Sequence, residues 1–225
     1  MTSPFFHYPP AAKFDRTLPK NKIYEHSGAN TRLKDLFVEQ VERIVWQYKL
    51  APKTINLPAQ PGVPEIQIFS IQLKSSELHE DVLRCIDGAV QFPILFELHR
   101  GEDDMAQTQV VAAYKRSSEV DVGRKVVSDY FASDWRPASS PREALPLALD
   151  MAGLYAALLQ RLQPLPARPQ EALADWIARV EKVDAKRREI EKTQARLARE
   201  RQFKRRVEIN AVLRRLKQEL EELIL

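Results

Sequence analysis

Apolar residues return every three or four positions across residues 33–48, as Leu33, Leu36, Phe37, Val41, Ile44, Val45 and Tyr48. That spacing gathers them on one face of a helix, which Asn30 or Thr31 can cap. Pro52, Pro58, Pro61 and Pro64 end the helix and carry the chain through a loop. The rhythm then changes. Residues 65–73, EIQIFSIQL, predict a strand with Ile66 and Ile68 on one side and Phe69, Ile71 and Leu73 on the other, so both of its faces are expected to be buried. Ser75 or Ser76 can cap a second helix reaching about Asp87, with Leu78, Val82, Leu83 and Ile86 as its stripe and Gly88 as its stop. ILFELH after Pro93 and the apolar run 107–114 flank turn residues at 101–104, the signature of an antiparallel hairpin, and a strand around 124–131 extends the sheet. Residues 132–146 predict a loop, and 147–162 a closing helix with Leu154, Leu158, Leu159 and Leu162 as its face. The fold class is therefore α+β: a small mixed or antiparallel sheet packed by helices, over a head domain at residues 31–162. Residues 1–30 are expected to be irregular, because Pro4, Pro9, Pro10 and Pro19 block helix.

Three prolines in residues 163–169, QPLPARP, predict a stiff extended linker and the clearest domain boundary in the chain. Residues 170–225 then contain no Gly and no Pro. Leu173, Trp176, Val180, Val183 and Ile190 keep one seven-residue rhythm. Ile209, Leu213, Leu216, Leu220 and Leu223 keep another, displaced from the first by five residues. A shifted register means a break near 199–206 and a helical hairpin, or one long helix that changes its packing partner. The hairpin is favoured, since a straight helix would run for about 84 Å and need an external partner along its length.

Charge changes the picture only in that tail. It holds 15 basic and 11 acidic residues and so carries the whole net charge of +4. Ten Lys or Arg against three Glu crowd residues 186–206. Such a surface suits a polyanion or an acidic protein, and Arg187, Arg188, Arg199, Arg201, Lys204, Arg205 and Arg206 are the candidate contacts. Arg187, Gln194, Arg201 and Lys204 also fall at seam positions of a simple coiled coil, where apolar residues belong. The competing reading is an ordinary solvated helix face, with cations paired to Glu three or four residues away. Lys20 and Lys22, beside Tyr24 and His26, form a weaker candidate, since a cation next to an aromatic can hold a phosphate and stack on a base.

Other chemistry is sparse. A single cysteine, Cys85, excludes an intrachain disulfide and a cysteine-rich metal site, and fits a reducing cytoplasm. Residues 1–10 lack a signal-peptide pattern and no run of eighteen apolar residues occurs, so neither secretion nor membrane spanning is expected. His7, His26, His79 and His99 have no metal-ligand spacing, and six scattered glycines form no phosphate loop, so no metal or cofactor is expected. Glu65, Glu97 and Lys115 on neighbouring strands could assemble a metal-dependent nuclease site. The chain lacks, however, the compact pattern of an acidic residue followed two positions later by Lys on a strand.

The blocks LPKNKIYE, LKDLFVEQVERIVWQYKLAPKTINLPA, VPEIQIFSIQL, VLRCIDGAVQFPILFEL, VAAYKR and RQFKRRVEINAVLRRLKQELEEL resemble, in the same order, the prokaryotic family catalogued as domain of unknown function 4391. The resemblance runs from about Leu18 to the C-terminus. It implies companionship with DNA methyltransferases and superfamily-two helicases in restriction-like or phage-defence loci, and transfers no catalytic residues. The leading expectation is a non-catalytic accessory subunit docking on a helicase or methyltransferase, on DNA, or on both, through its basic tail. The alternatives are the nuclease in the head and a homodimeric scaffold that self-associates through residues 209–223.

Overall fold

Two runs of consecutive buried residues, 66–69 and 94–98, become the centre of a mixed sheet. The computed structural model describes residues 4–117 and 125–225. Its strands are β1 (Phe6–His7), β2 (Lys13–Thr17), β3 (Val41–Leu50), β4 (Ile66–Leu73), β5 (Ile94–Arg100), β6 (Gln107–Ser117), β7 (Lys125–Ala132), β8 (Arg136–Pro137) and β9 (Glu143–Ala144). The helices are α1 (Lys20–Ser27), α2 (Thr31–Gln40), α3 (Pro52–Ile55), α4 (Glu80–Ala89), α5 (Met151–Gln160), α6 (Leu173–Arg199) and α7 (Phe203–Ile224). The main sheet runs β2-β3-β4-β5-β6-β7, with β8 beside β6. Every pair in it is antiparallel except β4 and β5, which are parallel and joined by the α4 crossover. The chain divides into two compact units, Met1–Pro164 and Leu165–Leu225.

In the first unit α1, α2 and α4 cover one face of the sheet. Ile23, Phe37, Val82 and Ile86 pack with Val41, Ile44, Phe69, Ile71, Phe96 and Leu98. Side chains alternate along a strand, so Ile68 and Leu95 point to the opposite face, where they too are buried. Helix α5 is tied to β6 through Tyr155, whose hydroxyl donates to Ala113 O at 2.6 Å and accepts from Lys115 N at 2.9 Å. The β5–β6 turn requires glycine: Gly101 has φ +74°, and a Cβ there would lie 2.6 Å from Met105 O.

Three expectations are corrected. The helix predicted over 33–48 stops at Gln40, and Val41 begins a strand. Asn30 does cap it, accepting from Leu33 N at 2.9 Å. Register shifts between Val41 and Arg43 and between Trp46 and Tyr48 break the two-residue alternation of β3. A bulge adds a residue, so the buried positions 41 and 44 sit three apart and imitate a helical rhythm. The cap of the next helix is His79, whose Nδ1 accepts from Asp81 N, and the helix begins at Glu80 rather than after Ser75 or Ser76. Finally, residues 4–30 are not irregular. They supply β1, β2 and α1, and β1 pairs in parallel with β9. Phe5, Phe6, Tyr8 and Ala12 are buried there, so apolar content outweighs the proline signal. The strand expected from Arg124 begins at Lys125 in the described residues.

The second unit is a helical hairpin. Arg179 reaches Leu223 O, Lys186 reaches Glu219, and Ile190 packs with Leu213 and Leu216, so α6 and α7 run antiparallel. The two heptad phases are thus facing seams of one pair, with Leu197 and Leu220 completing the core. Residues 165–169 are not a free extended spacer. Leu165 is buried, its carbonyl accepts from Trp176 Nε1 at 3.0 Å, and Pro166 O accepts from Arg179. Glu171 closes the clasp, taking two 2.7 Å bonds from Arg179.

Candidate nucleic-acid interface

Helix α6 ends at Arg199 and α7 starts at Phe203, so the most basic segment of the chain becomes the tip of the hairpin. Of seven charged residues between 196 and 206, six are basic: Arg196, Arg199, Arg201, Lys204, Arg205 and Arg206. All six are exposed. The single acid, Glu200, organises the turn, since its Oε1 accepts from Gln202 N at 2.8 Å. Backbone N–H groups of Gln202 and Arg201, then the charges of Arg205 and Arg196, hold its carboxyl below the ordinary range.

The two helix ends differ in what their cations do. Arg196 and Arg199 lie in the last turn of α6, where positive charge complements the helix dipole. Lys204, Arg205 and Arg206 lie in the first turn of α7, where positive charge opposes it. That end has no acidic residue and no side-chain cap. The arrangement costs helix stability and leaves a cationic surface that an anion would relieve.

The other sequence candidates separate. Arg187 pairs with Asp184 at 3.4 Å, and Arg188 is exposed on the same helix. Lys186 bridges Glu189 at 3.2 Å and Glu219 at 2.7 Å, so its charge is spent within the hairpin. Arg187, Gln194, Arg201 and Lys204 are all exposed and outside the seam, which overturns the idea that they weaken it. Lys20 has a structural task. Its Nζ donates to Phe37 O at 2.8 Å and Val41 O at 2.5 Å, bracing the junction where α2 gives way to β3. Burial, then the nearby Lys74, lowers its pKa. Lys22 is exposed and pairs with Glu25 at 3.1 Å, while the Tyr24 ring packs edge-on against Phe37. These residues form no joint clamp. Two tip residues were missed from sequence, Arg196 and Phe203. An aromatic set among cations, where one heptad phase gives way to the other, was the available signal.

The three residues of the nuclease alternative do not converge. Glu65 accepts from Gln67 Nε2 at 2.6 Å and pairs with Lys49 at 2.6 Å. Glu97 takes two 2.8 Å bonds from Arg142, whose guanidinium it holds above its ordinary pKa. Lys115 lies against the C-terminal end of α4, bonded to Asp87 at 2.6 Å and to the carbonyls of Asp87, Val90 and Phe92. Glu97 alternates with Phe96, which faces α4, and so points away from the side that holds Lys115. Among the described residues no group of three or more His, Cys, Asp or Glu is placed to hold a metal ion.

A family model described as a domain of unknown function (DUF4391) matches residues 6–220. The chain belongs to the DUF4391 family. No curated protein and no solved structure matches it. Membership in DUF4391 therefore covers both the sheet unit and nearly all of the hairpin, including its basic tip. Among the described residues of this DUF4391 chain, no helix is long and apolar enough to cross a membrane.

Proposed function

We propose that this DUF4391 chain is a cytoplasmic, non-catalytic accessory subunit of a DNA-directed, restriction-like or phage-defence assembly, and that its hairpin tip contacts DNA. The observation that carries the reading is the collection of Arg196, Arg199, Arg201, Lys204, Arg205 and Arg206 at one exposed turn. Backbone phosphates supply the complementary charge. A helicase or DNA methyltransferase of the same locus is the proposed companion, as the family resemblance implies. The homodimer alternative loses ground, because Ile209, Leu213 and Leu216 are buried and Leu220 packs with Leu213 and Leu216 against Ile190 in the same chain.

The test is a salt series of DNA binding with the full chain. Affinity should fall steeply as salt rises, with slight sequence preference, since phosphate contacts position a protein without reading bases. Reversing Arg199, Lys204, Arg205 and Arg206 to Glu should abolish binding and leave the melting of the sheet unit unchanged. If the tip instead engages the companion protein, the wild type shows no DNA affinity at low salt, yet the same reversals prevent copurification. A reversed chain that keeps both DNA and companion binding makes the basic run a solvated helix face and defeats the proposal.

A further inference from the structure

Phe203 is the first residue of α7 and is 82% exposed. Among the described residues it is the only aromatic found among the exposed large hydrophobic side chains. No cation or second ring of the described residues covers its face. Arg201 and Lys204 stand within two residues of it along the chain, and the exposed Val207 follows one helical turn later. The tip thus presents one bare π-face within a segment crowded with positive charge.

We propose that the hairpin tip binds single-stranded nucleic acid, with the Phe203 ring stacked on an unpaired base and the surrounding cations on the flanking phosphates. The inference rests on the reading of the tip as a DNA contact and names the form of nucleic acid it takes. Every base has a π-face, so stacking tolerates sequence, and cations along the backbone complete the usual single-strand platform. In a paired duplex both faces of an internal base are already stacked, which leaves the ring without a partner. Anionic membrane is the less suitable polyanion. Insertion needs a broad apolar face, and the tip offers only Phe203 and Val207 beside six cations.

The experiment measures fluorescence anisotropy of the full chain with a labelled oligothymidylate of about twenty nucleotides, long enough for one binding site, and with a blunt duplex of equal length. Vesicles containing phosphatidylserine form a third arm. The wild type should prefer the single strand. Phe203→Ala should lower single-strand affinity by about tenfold and change duplex affinity by less than about twofold, as expected for loss of one stacked base. Phe203→Trp should retain the preference, and Arg205→Glu should weaken both forms of DNA. Helical circular dichroism controls for folding of each variant. If Phe203→Ala binds the single strand as well as the wild type does, this inference is overturned while the electrostatic reading stands. If the wild type binds neither DNA, this inference and the DNA contact on which it rests both fail. Binding to the vesicles in place of DNA also overturns the inference, by assigning the tip to a lipid surface.

Discussion

At the residue scale, the buried Lys115 is committed to a carboxylate and to the protein's own backbone. Burial pushes the Asp87 carboxyl up and the Lys115 amine down, each opposed by the partner's charge. Lys115 Nζ lies within hydrogen-bond reach of four oxygens, more than its three protons can serve singly, so the site holds the ammonium form. Tyr130 adds a 2.5 Å bond to Asp87, and its hydroxyl pKa is raised by burial and by that carboxylate. Lys115→Met should therefore cost about 3–5 kcal/mol in denaturant unfolding, since it strands a buried carboxylate and three carbonyls. Combining it with Asp87→Asn should recover part of that loss. A stability change under about 1 kcal/mol would show that Lys115 does not hold α4 to the sheet.

Glu171 gives the hairpin a pH dependence of known sign. The Arg179 guanidinium, and after it the Arg168 N–H, bring its pKa down from 4.5 to about 2. A depressed folded-state value stabilises above the unfolded value, and the contribution is lost as pH falls through the folded one. Glu171→Gln should thus be less stable than wild type at neutral pH, by about 1–2 kcal/mol once partial solvent screening is allowed for. The gap should close between pH 4.5 and about 2. Urea midpoints of the helical signal at neutral and acid pH measure it; a gap that is constant with pH removes the Glu171–Arg179 pair as its source.

At the scale of elements, Ile44 carries the clearest lesson. It is 1% exposed, as the apolar spacing required, but on a strand rather than a helix. Ile44→Asp should abolish the cooperative melting of the sheet unit, because it places an unpaired charge among Phe69, Ile71 and Ile86. A soluble variant with an unchanged transition would put that face at the surface. The prediction is the same for either element type, since burial follows from which residues are apolar. Element type depended on two bulges in β3, which a periodicity count cannot see. The same limit explains the N-terminal strands, whose pairing with β3 and β9 is long-range. The β4 strand, the β5–β6 hairpin and β7 were legible because short apolar patterns and turn residues are local signals. For the site, charge density located the tip, whereas the structural duty of Lys20 lay hidden. Nothing near Lys20 in the chain announces carbonyls 17 and 21 residues away.

At the scale of the whole molecule, charge and packing divide between the same two units. The unit Met1–Pro164 has 19 basic and 20 acidic residues and Leu165–Leu225 has 16 basic and 11 acidic, so the excess charge belongs to the hairpin. The first unit has a sheet whose central strands are buried on both faces, while the hairpin buries nine apolar side chains, Trp176 the largest of them. Fewer buried apolar side chains mean a smaller opening free energy. Amide hydrogen exchange on the full chain should therefore show two protection classes, with β4, β5 and β6 exchanging slowest and α7 several orders of magnitude faster. Because each unit has its own core, a chain ending at Pro164 should keep the slow class unchanged. Loss of protection in β4–β6 on that truncation would show that the hairpin is part of what holds the sheet unit folded. Retention would mean that the basic tip can be altered, as the binding tests require, without disturbing the sheet unit.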